Sequence, residues 1–210
     1  MKKSLLIFIF FCFSFDAFSQ SVYVKAGLNL SNIFQFGNSF TNDFKIKPGF
    51  HLGGTFEIPI DTNVYFETGL FIDSKGYKFE SWTQSDPNVR VKTELYFIEI
   101  PLLFKYKYPL KNVLIVGSFG PNFGIGIWGY QTQKGSLFVP DKINYDCFGE
   151  TGMYNRFYGA LFGSLGIEYR KYIFSVNCNF GLTNIYGYRY APYYSNYSIS
   201  LSVGYKLWTK

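Results

Sequence analysis

Residues 93–108, TELYFIEIPLLFKYKY, alternate with a period of two. Tyr96, Ile98, Ile100, Leu102, Phe104, Tyr106 and Tyr108 form one apolar or aromatic row, whereas Leu95, Phe97, Glu99, Pro101, Leu103, Lys105 and Lys107 form a row that carries charge. Successive side chains of a strand point to opposite faces, so this is a strand, and a long one. Tyrosines cap its apolar row, as they do where a surface passes from hydrocarbon to water. In a soluble sandwich that row would look inward; in a transmembrane barrel it faces lipid.

The same alternation recurs at residues 21–31, 45–59, 64–76, 113–131, 155–170, 172–186 and 197–207, giving eight predicted strands. The connections between them alternate long and short. In an up-and-down meander all long connections then fall at one end and all short ones at the other, with both chain ends on the short side. Outer-membrane barrels have this asymmetry. An even strand number lets the last strand meet the first and leave no edge, which lipid requires.

Residues 1–19 read as a cleaved secretory signal peptide: Lys2 and Lys3 precede an apolar run over 5–15, and Ala17-Phe18-Ser19 supplies small residues before the cut. Without Lys2, Lys3 and Asp16 the charge is 18 basic (20 − 2) against 13 acidic (14 − 1), a formal +5. Export and the lack of a Lys/Arg run argue against a nucleic-acid partner. Nineteen tyrosines and 25 phenylalanines exceed what a soluble core needs. After the signal segment no apolar run reaches the length of a membrane helix. Cys147 falls in a predicted loop and Cys178 on an outward strand face, so no disulfide between them is expected.

Volume decides which face is out. Eight strands enclose space for modest side chains or one small ligand. Eight rows of Phe, Tyr, Ile and Leu would overfill it, whereas glycines, serines and charges fit. Placed inside, Glu57, Glu67, Asp73, Glu99 and Glu168 face Lys25, Lys75, Lys105, Lys107, Arg170 and Lys206. That near balance predicts a salt-bridged plug, because buried ions need partners and a selective pore more often carries one sign. The expectation is an all-β, eight-stranded antiparallel up-and-down transmembrane β-barrel over residues 20–210, in the bacterial outer membrane.

The segments Phe97–Tyr106, FIEIPLLFKY, and 120–127, GPNFGIGI, resemble the PorT-type outer-membrane β-barrel family of bacteroidete bacteria. Residues 27–31 (GLNLS), 166–169 (GIEY) and 181–185 (GLTNI) fit the same pattern. The resemblance implies an eight-stranded outer-membrane barrel and an association with secretion of exported proteases. It carries no catalytic residues. Pro101, which comes with the motif, cannot donate to a ladder and predicts a bulge or local break.

No catalytic, cofactor-binding or metal-ligating set stands out. His51, the one histidine, is a possible general base, but its register puts it in the lumen, where a polar network absorbs it. Glu57, Glu67 and Glu99 are better matched to lysines than to acid–base work. Asp141, Asp146 and Glu150 match no calcium-loop spacing. Gly120, Gly124 and Gly126 lack the helix and Lys-Ser/Thr of a phosphate loop. Tyr186, Tyr188, Tyr190, Tyr193, Tyr194 and Tyr197 are either an external contact surface or the outer aromatic girdle. The expected function is non-enzymatic: contact with the bilayer, and recognition of envelope or secretion proteins through external loops 132–154 and 187–196. The alternatives are a small passive pore and, behind it, a lipid-active enzyme.

Overall fold

The computed structural model describes residues 21–35, 44–82, 87–135, 143–148, 152–187 and 193–209. The expected signal segment lies outside them. The strands are β1 (Ser21–Gln35), β2 (Phe44–Lys45), β3 (Lys47–Pro59), β4 (Val64–Trp82), β5 (Pro87–Leu110), β6 (Val113–Lys134), β7 (Ile143–Asp146), β8 (Phe157–Tyr169), β9 (Tyr172–Gly181) and β10 (Tyr194–Thr209). Eight of them close a ring in the order β1-β3-β4-β5-β6-β8-β9-β10, and β10 returns to β1 along the whole length of that strand. Every neighbouring pair in the ring is antiparallel. The two short strands are additions at the long-connection end: β2 pairs with β4 and β7 with β6.

The greasy face is outside. Ile100, Phe104, Leu201 and Val203 are 46%, 64%, 66% and 50% exposed, while their neighbours Glu99, Pro101, Leu103, Lys105 and Ser202 are buried. Aromatics ring both margins of this apolar band. Tyr96 packs on Trp128 with ring centroids 4.7 Å apart and planes tilted by 38°, and meets Phe50 at 6.4 Å on the long-loop side; Tyr172 meets Tyr205 at 5.3 Å on the short-turn side. A barrel so clothed crosses the membrane with its strands.

Several sequence expectations are corrected. Trp128 points outward, although strict alternation from the inward Asn122, Gly124 and Gly126 would turn it into the lumen, because the β5–β6 register slips between Tyr96 and Phe97. Residue 127 is the extra one, and a one-residue bulge moves every later side chain to the other face. At Pro101 the expected local break is present and no bulge accompanies it: the register is unbroken, but the ladder loses two consecutive pairs on each side, resuming at Thr68↔Leu102 and Phe104↔Phe119. Neither Pro101 nor Pro121 has an N–H to offer there. Residues 77–82 and 87–92, expected to belong to a long connection, are paired strand: β4 and β5 continue as far as Trp82 and Pro87. Their alternation persists but its polarity reverses, with Tyr77 buried and Lys92 exposed. Above the membrane the outside is water. The predicted strand over 172–186 stops at Gly181.

Candidate functional site: the lumen and its outer mouth

Near the short-turn end, the lumen is crossed by one ionic layer. Lys107 on β5 lies 2.6 Å from Glu57 on β3 and 3.0 Å from Glu168 on β8. Lys105 pairs with Glu57 and, at 2.6 Å, with Glu67; Lys25 also reaches Glu67 at 2.6 Å, and Lys206 pairs with Glu168. Tyr23 stands in the middle, fully buried, its hydroxyl 3.1 Å from Lys107, 3.2 Å from Glu168 and 3.3 Å from Glu57. Inward strand positions supply all of these groups, so the alternation that makes the outside greasy also builds the plug.

A second layer lies further out. Lys75 pairs with Glu99 and, at 3.4 Å, with Asp73, and sits 4.1 Å from the centre of the Tyr158 ring. Asn122 donates to Glu99 at 2.6 Å. The first layer holds four lysines and three glutamates, net +1; the second holds one lysine, one aspartate and one glutamate, net −1. Their sum is zero, which is how the charges tolerate burial. Arg170 is not among them. It sits exposed in the β8–β9 turn with φ 54°, its guanidinium over Tyr169. The buried Lys47, further toward the long-loop end, reaches the half-buried Glu94 at 3.5 Å, and the exposed Lys92 joins Glu94 at 3.0 Å.

Between the two layers is a cavity of about 60 Å³. Its opposite wall is neutral and short: Ser164 on β8, Ser175, Asn177 and Asn179 on β9, Ser200 and Ser202 on β10. At roughly 10–15 Å³ each, such a volume holds a handful of waters. His51 reaches this space by a directed chain. Ser202 Oγ lies 2.5 Å from His51 Nε2, His51 Nδ1 lies 2.6 Å from Asn29 Oδ1, and the Asn29 amide donates to Asp73. Asn177 donates to Ser202 at 2.8 Å. The order hydroxyl, imidazole, amide oxygen is that of a nucleophile, base and orienter. Each member is buried in the lumen, as the register predicts, and not at a lipid-facing or rim position.

The outer mouth is capped by aromatic rings. Tyr77, Tyr154 and Tyr186 meet through their hydroxyls, at 2.8 Å and 2.9 Å from Tyr77. Phe44, Phe79 and Tyr194 pack on them, and Phe97 joins Phe148 and Tyr158 at ring distances of 5.9 Å and 5.3 Å. Tyr186 and Tyr194 therefore face inward, in neither of the two roles expected of the tyrosine group; Tyr193 is exposed, and Tyr188 and Tyr190 lie outside the described residues. Phe148 comes from the 132–154 segment, part of which pairs through β7 and folds back over the opening. Arg156 fixes it there, donating to Phe148 O at 2.6 Å and Gly126 O at 3.1 Å. A Cβ at Gly126 would strike the Phe148 ring, which explains a glycine in mid-strand. Asp146 accepts the Phe148 N–H at 3.0 Å and shapes the turn. Asp141 and Glu150 lie outside the described residues. Cys147 is buried beside Phe148, and burial pushes its thiol up to about 12; Cys178 faces outward on β9.

The sequence matches the outer membrane protein beta-barrel domain family over residues 18–187. The chain belongs to that family. It is an outer-membrane barrel in contact with the lipid bilayer. A comparison with curated proteins returned no match. Among solved structures, the barrel is similar to Ail, the attachment invasion locus protein of Yersinia pestis, at 12% identity and a TM-score of 0.44, covering 90% of this chain and 99% of that one. Neisserial surface protein A is similar at 10% identity and a TM-score of 0.48, covering 89% and 97%. The N-terminal barrel of Pseudomonas aeruginosa OprF gives 9% identity, a TM-score of 0.32, and 87% and 97% coverage.

Proposed function

We propose that this barrel is a plugged, non-enzymatic outer-membrane protein whose outer loops recognise another component of the envelope. The observation that carries this reading is the double closure of the lumen: an ionic layer at one end, an aromatic cap at the other, and about 60 Å³ between. That space holds a handful of waters and no more than a very small molecule, so chemistry on a lipid and transport are both starved of room. The surface left for recognition is the outer rim, around the segments 132–154 and 187–196. The PorT-type resemblance of the FIEIPLLFKY segment points to an envelope or protein-secretion assembly as the setting.

Two measurements test it. In planar bilayers the protein is expected to show no steady conductance; regular openings would replace this reading with a passive pore. Pull-down from detergent-solubilised envelopes is expected to recover a partner with the full chain and to lose it when residues 136–151 are replaced by a short linker.

One observation favours a lipid-active enzyme, namely the Ser202–His51–Asn29 chain. An acyl group requires far more volume than the cavity offers, and the chain sits on the lumen side of the wall. Both facts support a structural network.

A further inference from the structure

Beyond the outer aromatic belt, β4, β5 and β6 continue with β2 laid against them, and their outward face is basic. Directly paired residues in an antiparallel ladder share a face, as do residues two apart along a strand. Lys45 pairs with Lys78, and Lys78 with Lys92, making one cross-strand row of three lysines. The next row is Glu80, Arg90 and Lys134. The β4–β5 and β5–β6 registers are unbroken from these rows down to Tyr96, which packs on Trp128 at the membrane margin. The patch therefore stands on the same face as the lipid-contacting surface, directly above it.

Five basic groups, Lys45, Lys78, Arg90, Lys92 and Lys134, share this face with two acidic ones, Glu80 and Glu94. The carboxylates are already used: Glu80 pairs with Lys45, and Glu94 holds Lys92 and Lys47. Among the described residues no carboxylate lies within ion-pair distance of Lys78, Arg90 or Lys134. Like charges placed directly opposite each other destabilise a ladder, and here three such pairs occur in succession: Lys45–Lys78, Lys78–Lys92 and Arg90–Lys134. An arrangement of that kind is relieved by an anion lying across it.

Position identifies the anion. Lys92 is four residues from Tyr96, about 13 Å of strand and less in height once the barrel tilt is allowed for. The patch stands just above the belt that marks the hydrocarbon boundary, and long lysine stems reach back toward that boundary. We infer that Lys78, Lys92, Arg90 and Lys134 form a binding site for the phosphates of anionic lipid headgroups in the outer leaflet.

The test uses full-length protein folded into phosphatidylcholine vesicles with and without lipid A, beside a Lys78→Ser/Lys92→Ser double variant and a Lys111→Ser control in the turn at the opposite end. The wild type and the control are expected to retain lipid A through purification. The double variant is expected to retain about twenty-five-fold less, each basic residue near an anionic surface being worth roughly a factor of five. Thermal midpoints are expected to rise with lipid A in the wild type and control alone. Equal retention by the double variant, at an unchanged midpoint in phosphatidylcholine, would overturn the assignment. So would binding of inorganic phosphate or a soluble sulfated polysaccharide to the wild type without retention of lipid A.

Discussion

Lys107 Nζ on β5 lies 2.6 Å from Glu57 Oε2 on β3, with β4 between those strands in the wall, so the ion pair bridges the lumen as a chord. A chord ties together strands that share no ladder. Removing its acid leaves Lys105 and Lys107 short of a partner in a place with little water. Glu57→Gln is expected to cost about 3 kcal/mol, at the lower end of the range for breaking a buried pair, because Glu67 and Glu168 partly compensate. Urea midpoints in lipid vesicles measure it. A Glu57→Gln/Lys107→Met double variant is expected to recover part of the loss, and no recovery would mean that charge balance is not what the layer supplies.

The facing of the wall can be tested with two lysines. Ile100 is exposed to lipid, and Ile100→Lys is expected to destabilise by about 2–4 kcal/mol near the midplane. Ser200 borders the cavity, with Glu67, Asp73 and Glu99 on the far side, so Ser200→Lys is expected to be milder in the same folding assay. Equal penalties would contradict the assignment of inside and outside.

The Ser202–His51–Asn29 chain gives a different kind of expectation. His51→Ala strands a buried serine and a buried asparagine, each left without one partner, at a cost of about 1–3 kcal/mol. The lipid profile of cells carrying the variant should match the wild type, and a change in acyl composition would revive the enzymatic reading.

The cap rests on close approach of Phe148 to Gly126. Gly126→Val is expected to expel the Phe148 ring and expose the 143–156 segment, visible as faster proteolysis from outside intact vesicles with little change in barrel stability. Cys147 reports the same event. With its thiol held up at about 12 by burial first and by the Asp146 charge second, it should react slowly with maleimide at pH 8 in the wild type and quickly in Gly126→Val. The sign follows: folding keeps the thiol protonated, so its contribution to stability declines as pH rises from 9.0 toward about 12.

The sequence by itself determined the period-two rows, the eight long strands, the greasy exterior and most of the interior charges. Those depend on a local rule, the alternation of side chains across a strand, combined with the small volume inside eight strands. It could not show that Trp128 turns outward, since a single extra residue changes the face without changing the composition. Nor could it show that residues 77–82 and 87–92 remain paired, since alternation reverses its polarity where water replaces lipid as the outer solvent. Only the tertiary structure decided that Lys47 joins Glu94, that Arg170 stays in its turn, that Ser202, His51 and Asn29 line up, and that Phe148 folds back over the mouth. Apart from Arg170, each of these joins positions well separated in the chain, and closure of the ring sets their distances.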